Sequence, residues 1–451
     1  MARPPRSRRT RQSSSWSDLP PELLGVILLR LSIADRARLA TVCRAWRSGA
    51  RLQPLPAPPP WLILRNGTFL DLADKAVRRM PVPDDARCRG SVDDWLVLMS
   101  ERSHRWYLMN PFSGATLPVP ELTAFWRRAN GAAQKIKYVS CSPGTHDVYV
   151  KKVAMSSDLS SSPAENPLLA AVICDRSKMD RLFTVLVCRP GEGSTSTPSS
   201  SVELEVHPNV SREVDIAFFK GRLYAVNQEG ELLAVELRES RRGGGMAIAG
   251  VKRVARGPDL GPDTYPYPEL GRTLKLLYLI PSGDRLLMVS RWVYLTRSPI
   301  GDCSQRTVKF EVFEAEFGGA GGSACRWEKA GSLRGRALFV GRHGSGSVPA
   351  TRSPAAGGVR EDCIYFTHQE AFWWRPENPI ADSGVYDMRE GSRAEVGVDE
   401  EELDGLYGPD AARAYGHGAW FPTWLFPAGT CRDDRGRDRE DGGTSKRARR
   451  L

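Results

Sequence analysis

The 451-residue chain has no apolar run near the roughly 20 residues that a membrane helix needs; the longest near its start is 26–29. No apolar signal-peptide core follows the N-terminus, where residues 1–11 are rich in Arg and Pro. The nine cysteines, Cys43, Cys88, Cys141, Cys174, Cys188, Cys303, Cys325, Cys363 and Cys431, are odd in number, scattered and free of any C-x-x-C pair. That argues against a disulfide scaffold and predicts mostly reduced, buried, small apolar residues. The six histidines are equally scattered, and neither H-E-x-x-H nor a Cys/His cluster marks a zinc site. The glycine-rich stretch 341–347 lacks the lysine and spacing of a phosphate-binding loop, and no G-x-S-x-G elbow occurs. Asp84-Asp85, Asp93-Asp94 and the run 400–402 are adjacent carboxylates, read as solvated turn residues rather than an acid/base pair. These absences predict a chain with no catalytic residues, no metal and no cofactor.

A composition of 41% hydrophobic and 26% charged residues is too apolar for a disordered chain, and 451 residues are too many for one small domain. The expectation is a soluble, intracellular protein of several parts. Its formal charge of +11 is concentrated at the ends. Residues 1–15 carry five arginines and no acid, and residues 429–451 carry eight basic against five acidic side chains. A field for nucleic acid belongs on a folded face, so both ends read as disordered, solubilising tails and nucleic acid is disfavoured as a partner. Lys446-Arg447-Ala448-Arg449-Arg450 has the form of a nuclear-import signal, which leaves nucleus, cytoplasm or both as the expected location.

Residues 16–53 read as a small helical unit. Ser17-Asp18 is a cap-type pair, Pro20-Pro21 suits a first helical turn, and Glu22 adds negative charge near it. Leu23, Ile27 and Leu31, flanked by Leu24 and Leu28, make a broad apolar stripe. Ser32 and Asp35 have capping-box spacing, so a further helix is expected to start there, with Leu39, Val42, Cys43 and Trp46 as its apolar positions. Gly49 and the Pro-rich run 54–60 are expected to stop it. So short a unit cannot bury all these faces on itself. They pack either on the rest of the chain or in a partner's groove.

Beyond the stiff linker 54–60 the pattern changes to short strands and turns, over 61–428. Runs 61–65 and 68–72 flank Asn66-Gly67, a hairpin signature. Runs 94–99 and 105–109 pair next, followed by a turn at 110–114. Residues 215–237 hold three runs split by Lys220-Gly221 and Glu229-Gly230. Runs 274–280, 285–295, 308–317, 363–367 and 384–388 follow. Leu223-Tyr224-Ala225-Val226 and Leu286-Leu287-Met288-Val289 are apolar on both faces, as in strands stacked between layers such as propeller blades. No long amphipathic helices interleave, which argues against a doubly wound α/β fold. At roughly 40–50 residues per blade this length allows seven or eight blades, or fewer with long loops. The low-complexity stretches 156–163, 191–201, 241–245, 318–323 and 344–358 are expected to be insertions between strands. Phe125-Trp126-Arg127-Arg128 and Trp373-Trp374-Arg375 place aromatics beside arginine, as core or strand-edge residues or as protein hot spots.

Two resemblances follow from these strings. Leu19-Pro20-Pro21-Glu22-Leu23-Leu24 with Val42-Cys43-Arg44-Ala45-Trp46-Arg47 resembles the opening and close of an F-box. In that family the segment is a three-helix unit that binds a Skp-type adaptor and, through it, a cullin-RING ubiquitin ligase. The resemblance carries adaptor binding to Leu19, Pro20, Leu23, Ile27, Leu28, Leu31, Leu39, Val42, Cys43 and Trp46, some of which hold the unit together instead. Asp215 to Asn227, Ser282 to Arg291, 310–314, 337–341, 362–367, 384–388 and 422–427 are similar to the C-terminal kelch-like propeller of plant F-box proteins of the KIB type. The expectation is a small all-α F-box followed by an all-β propeller-like domain with disordered basic termini. The role implied is a non-catalytic substrate receptor of an SCF-type ligase holding an unidentified target protein, with no membrane partner. The alternative is a scaffold that sequesters its partner without ubiquitination.

Overall fold

A computed structural model of the chain describes residues 16, 19–31, 43–52, 59–64, 67–72, 75–103, 105–120, 148–156, 167–175, 183–191, 200–204, 214–239, 246–261, 272–297, 303–318, 325–350, 359–369, 380–395 and 422–427. The chain divides into two compact units, Met1–Pro58 and Pro59–Leu451. Among its described residues the first shows two helices, α1 (Pro21–Arg30) and α2 (Arg44–Leu52). The expected helix start at Ser32, with Leu39 and Val42, lies outside the described residues, as do Ser17 and Asp18. Pro20 itself caps α1, with no side-chain cap bond, and its carbonyl accepts from the Leu23 and Leu24 amides. Gly49 does not stop α2, as its residue type suggested, but lies inside it. The reason is packing: a Cβ on Gly49 would sit 2.7 Å from Leu24 Cδ2, so only glycine admits the buried leucine at this distance.

The second unit is a six-bladed β-propeller. Blade 1 contains β1 (Trp61–Ile63), β2 (Thr68–Asp71) and β3 (Ala76–Arg79), and blade 2 contains β4 (Ala86–Val92), β5 (Trp95–Ser100), β6 (Trp106–Met109) and β7 (Thr116–Val119). Blade 3 contains β8 (Val148–Met155), β9 (Leu169–Asp175), β10 (Phe183–Cys188) and β11 (Ser200–Leu204). Blade 4 contains β12 (Asp215–Phe219), β13 (Arg222–Val226), β14 (Leu232–Glu239) and β15 (Met246–Ala255). Blade 5 contains β16 (Arg272–Ser282), β17 (Arg285–Arg297), β18 (Cys303–Phe317) and β19 (Cys325–Lys329). Blade 6 orders β20 (Arg336–Val340), β21 (Gly346–Pro349), β22 (Cys363–Phe366), β23 (Gly384–Asp387) and β24 (Ser392–Glu395) as β21-β20-β22-β23-β24. The last strand, β25 (Thr423–Leu425), pairs antiparallel with β1 and completes blade 1, so the two ends of the domain close the ring together.

Six blades is the case of fewer blades with long loops, and two features produce it. Long segments separate strands within and between blades, and β16, β17 and β18 run to 11, 13 and 15 residues. The stretch 344–358 is also not simply an insertion, because β21 lies in it as the inner strand of blade 6. Its small residues are what let it pack: a Cβ on Gly346 would meet the Phe426 ring at 2.6 Å.

Alternation along each strand explains the double-sided apolar runs. Leu223 and Ala225 of β13 face blade 3, while Tyr224 and Val226 face blade 5. Leu286 and Met288 of β17 turn toward blade 4, Leu287 and Val289 toward blade 6. Six apolar clusters result, one in each interface between neighbouring blades. The turns follow their residue types: Lys220 and Gly221 both take positive φ, 49° and 73°, in the tight β12–β13 hairpin. Asn110 Oδ1 accepts from the Phe112 and Ser113 amides in the turn after β6.

Candidate partner-binding surfaces

In the helical unit Leu24 and Leu28 form the core, 2% and 1% exposed, with Leu19, Ile27, Leu31 and Trp46 half-buried around them. Trp46 Nε1 donates to the Trp16 carbonyl at 2.7 Å, and the Trp46 amide donates to Cys43 Sγ at 3.4 Å. The structure therefore sorts the sequence-derived positions. Leu28 holds the helix pair together, and Pro20 and Leu23 point outward, Leu23 being 53% exposed. Val26, one turn on from Leu23, is 48% exposed and escaped the sequence reading, because Ile27 better fitted the stripe of Leu23 and Leu31. Exposed Leu23 and Val26 on one short helix are the residue types that insert into an apolar groove. Leu39 and Val42 are outside the described residues.

The propeller axis is lined by β25, β4, β8, β12, β16 and β21. Polar side chains tie these inner strands together. Ser91 Oγ donates to the Trp424 carbonyl at 2.5 Å and meets Thr423 Oγ1 at 2.8 Å, linking blades 2 and 1. Lys152 Nζ reaches Asp215 Oδ2 at 2.5 Å, and the same oxygen accepts from the Leu279 amide at 2.7 Å, joining blades 3, 4 and 5. Burial pulls the Lys152 ammonium down from its ordinary value against the pull of Asp215. Ser282 and Ser347 hydroxyls meet at 2.8 Å between blades 5 and 6, and Trp424 Nε1 donates to the Val340 carbonyl at 3.1 Å between blades 1 and 6.

The segment joining β20 to β21 crosses this axis. A Cβ on Gly90 of blade 2 would lie 3.1 Å from His343 Cβ, and one on Gly344 would lie 2.5 Å from Ser91 Oγ and 2.8 Å from Thr423 Oγ1. The His343 ring hydrogen-bonds the Lys151 backbone of blade 3. A loop of blade 6 thus plugs the ring against blades 1, 2 and 3. The glycines of 341–347, which lack the pattern of a phosphate loop, serve close packing here.

Blade 5 carries a second distinctive surface. Among the described residues β19 pairs with Phe313–Phe317 alone, and the first part of β18 forms the outer edge of a three-stranded ribbon with β16 and β17. On one face, Trp292 lies between Lys275 Nζ at 4.6 Å and Lys309 Nζ at 4.2 Å from its ring, beside exposed Tyr294 and Arg306. Val308 is the extra residue where the register shifts, and it is exposed. Aromatic and arginine side chains are the anchors protein partners use most.

The other face packs on blade 6 through a buried ionic network. Arg291 and Asp382, both 0% exposed, pair at 2.9 Å. Arg291 also donates to the Thr367 carbonyl at 2.7 Å and to Thr307 Oγ1 at 2.9 Å, with its guanidinium 4.8 Å from the Phe366 ring centre. Asp382 accepts from the Thr307 amide and hydroxyl, both at 2.8 Å, and lies 3.3 Å from Arg393 Nη1. Burial alone would push the Asp382 carboxyl up, but Arg291, Thr307 and Gln305 together hold it below the ordinary value. Gln305 Nε2 donates to the Gln369 carbonyl, and Tyr278 Oη donates to Gln369 Oε1. The network fixes Gln369 and Asp382 on either side of the segment that holds Trp373-Trp374-Arg375. That motif and Phe125–Arg128 lie outside the described residues.

Among the described residues, no group of three or more His, Cys, Asp or Glu converges as a metal site. Cys88, Cys188 and Cys363 are buried, and Cys43 and Cys325 half-buried. Burial pushes the Cys88 thiol up to about 12, and those of Cys325 and Cys363 to about 11, so these three stay protonated and weakly nucleophilic.

Comparison with known proteins agrees with both units. The F-box domain family matches residues 16–56, and the KIB1-4 beta-propeller family matches residues 69–387. Similar proteins come from Arabidopsis thaliana. F-box protein At1g10110 is 32% identical over 115 residues, 24% of this chain and 29% of that protein. F-box/kelch-repeat protein At1g57790 is 31% identical over 118 residues, 24% of this chain and 34% of that protein. The chain thus aligns with about a third of the length of these two. Putative F-box protein At3g25750 is 23% identical over 374 residues, 80% of this chain and 89% of that protein.

Proposed function

The chain belongs to the KIB1-4 beta-propeller family and carries an F-box ahead of the propeller, and from this premise we propose that it is a substrate receptor of an SCF-type ubiquitin ligase. The observation that carries the reading is the pairing of exposed Leu23 and Val26 on α1 with a rigid ring on the same chain. The helix docks a Skp-type adaptor, and the propeller holds a target protein. No side chain of this chain is then needed for transfer. The rate gain comes from raising the target's effective concentration beside the ligase. The receptor works in the nucleus, the cytoplasm or both, with residues 446–450 as the import signal.

The test is co-purification from plant cells of the wild type against Leu23→Asp/Val26→Asp, read by mass spectrometry. Adaptor and cullin are expected with the wild type and absent from the variant, whose fold should be intact because both side chains point outward. Each hot-spot change is worth on the order of 2 kcal/mol. Absence of adaptor from the wild type would overturn the reading. Adaptor binding without any change in partner abundance on proteasome block would instead favour the sequestering scaffold.

A further inference from the structure

We propose that the outer edge of β18 over residues 306–311 takes up an extended acidic segment as an added strand of blade 5. This deepens the receptor reading and rests on it in one respect: the segment belongs to the target protein. At 15 residues β18 is the longest strand described, and β19 covers its far end, 313–317. The Ala330 amide donates to the Val312 carbonyl, and the ladder stops there. Among the described residues no strand pairs with the outer side of 306–311. The alternation of an antiparallel ladder turns the Phe310 amide and carbonyl to the same outer side as the Val312 carbonyl. They are a donor and an acceptor in place for a further strand. A segment of this length is an ordinary strand.

The edge is held from behind. Asp382 pairs with Arg291 at 2.9 Å and accepts from the Thr307 amide at 2.8 Å. An added strand therefore meets a preformed edge and orders little of this chain on binding. The side chains name the occupant. Arg306 is exposed and has no partner among the described residues. Half-exposed Lys309 lies 3.6 Å from Glu311, and exposed Lys329 lies 2.8 Å from the same carboxylate. Three cations along this edge thus share one carboxylate, while Asp382, beneath the strand, is committed to Arg291 and Thr307. Val308 adds an exposed apolar contact at the bulge. A strand with apolar residues between its carboxylates fits that surface. A second copy of this chain does not, because two such edges side by side would set Arg306 and Lys309 against their own counterparts.

The experiment is a fluorescence-polarisation titration of the full chain, without adaptor, against labelled peptides of about ten residues. One alternates glutamate and valine, one alternates lysine and valine, and one is the glutamate peptide with every amide N-methylated. The glutamate peptide is expected to bind and the other two are not; the methylated one keeps the charge but has no backbone donors. Arg306→Glu/Lys309→Glu is expected to weaken binding at least about tenfold, equivalent to about 1.4 kcal/mol. Should that variant fail to fold, Arg306→Glu alone, which breaks no contact among the described residues, is expected to act in the same direction. Arg102→Glu/Arg105→Glu, the same charge change at exposed positions between β5 and β6, should leave binding unchanged. No binding of the glutamate peptide up to about 1 mM would overturn the proposal. So would equal binding of the methylated peptide, or binding that the Arg306 variants leave intact. Self-association of the wild type in sedimentation, abolished by Val308→Lys, would also overturn it and assign the edge to a second copy. None of these failures touches the adaptor reading, and loss of the adaptor from co-purification would leave the strand result standing.

Discussion

Replacing Asp382 by Asn tests whether the blade 5–blade 6 contact depends on its buried ion pair. The substitution keeps the volume and removes one charge. Arg291 is then left with bonds to Thr307, the Thr367 carbonyl and other neutral groups, at 0% exposure. Orphaning a buried charge costs about 3–5 kcal/mol. The new side-chain amide adds to the loss, because its NH2 group would aim donors at the donors of Arg291 and Thr307. The reciprocal change Arg291→Met should cost less, since Asp382 keeps Arg393 at 3.3 Å together with both Thr307 donors. The double variant Arg291→Met/Asp382→Leu should recover much of the loss, because a packed apolar pair is often as stable as a buried ionic one. The assay is urea unfolding at pH 7 followed by tryptophan fluorescence. A loss below about 1 kcal/mol for Asp382→Asn, the range of exposed pairs, would refute the reasoning. With Asp382→Leu also measured alone, strict additivity of Arg291→Met and Asp382→Leu would do the same.

Gly49→Leu should overpack Leu24 and cost the helix pair about 1–3 kcal/mol, seen as lost adaptor affinity with an unchanged propeller melting transition. Gly346→Val should force the Phe426 ring away from β21 and lower the propeller's urea midpoint, whereas Gly221→Ala, in an open turn, should act only through its positive φ and cost about 1 kcal/mol. His368 is neutral in the folded protein down to about pH 4 but takes a proton near 6.5 when unfolded. Stability should therefore fall as pH drops from 6.5 toward 4, and His368→Gln should flatten that slope in urea unfolding. The contribution of Asp382 has the opposite origin but the same acid loss: its depressed carboxyl stabilises the fold above the unfolded carboxyl value and stops doing so as pH falls through the lower folded one.

The parts of this architecture written in local residue patterns were legible in the sequence. Lys220-Gly221 and Asn66-Gly67 marked hairpins because tight turns need backbone angles that glycine supplies. Leu223 to Val226 announced a strand packed on both faces, and the structure divides its side chains between two interfaces. What the sequence hid depends on distant partners. Gly49 looked like a helix stop because its reason for being there, Leu24, is 25 positions away. β21 looked like low complexity because its small residues make sense only against Phe426. Arg291 and Asp382, 91 residues apart, carry no mutual signal in a single chain. In the F-box, the residues that resemble the family were clear, but Val26 needed the helix pair to be seen as outward-facing.

The closure of blade 1 by β25 also has a consequence for the birth of the protein. Trp61 waits for its neighbour Leu425 until nearly the whole domain has been synthesised. At about 5–20 residues per second, that interval is roughly 20–70 s. During it, β1 presents an open edge on the nascent chain and the plug segment has no β25 to lean on. The ring cannot be finished cotranslationally one blade at a time, and chaperone capacity should limit its yield more than the final stability of any blade.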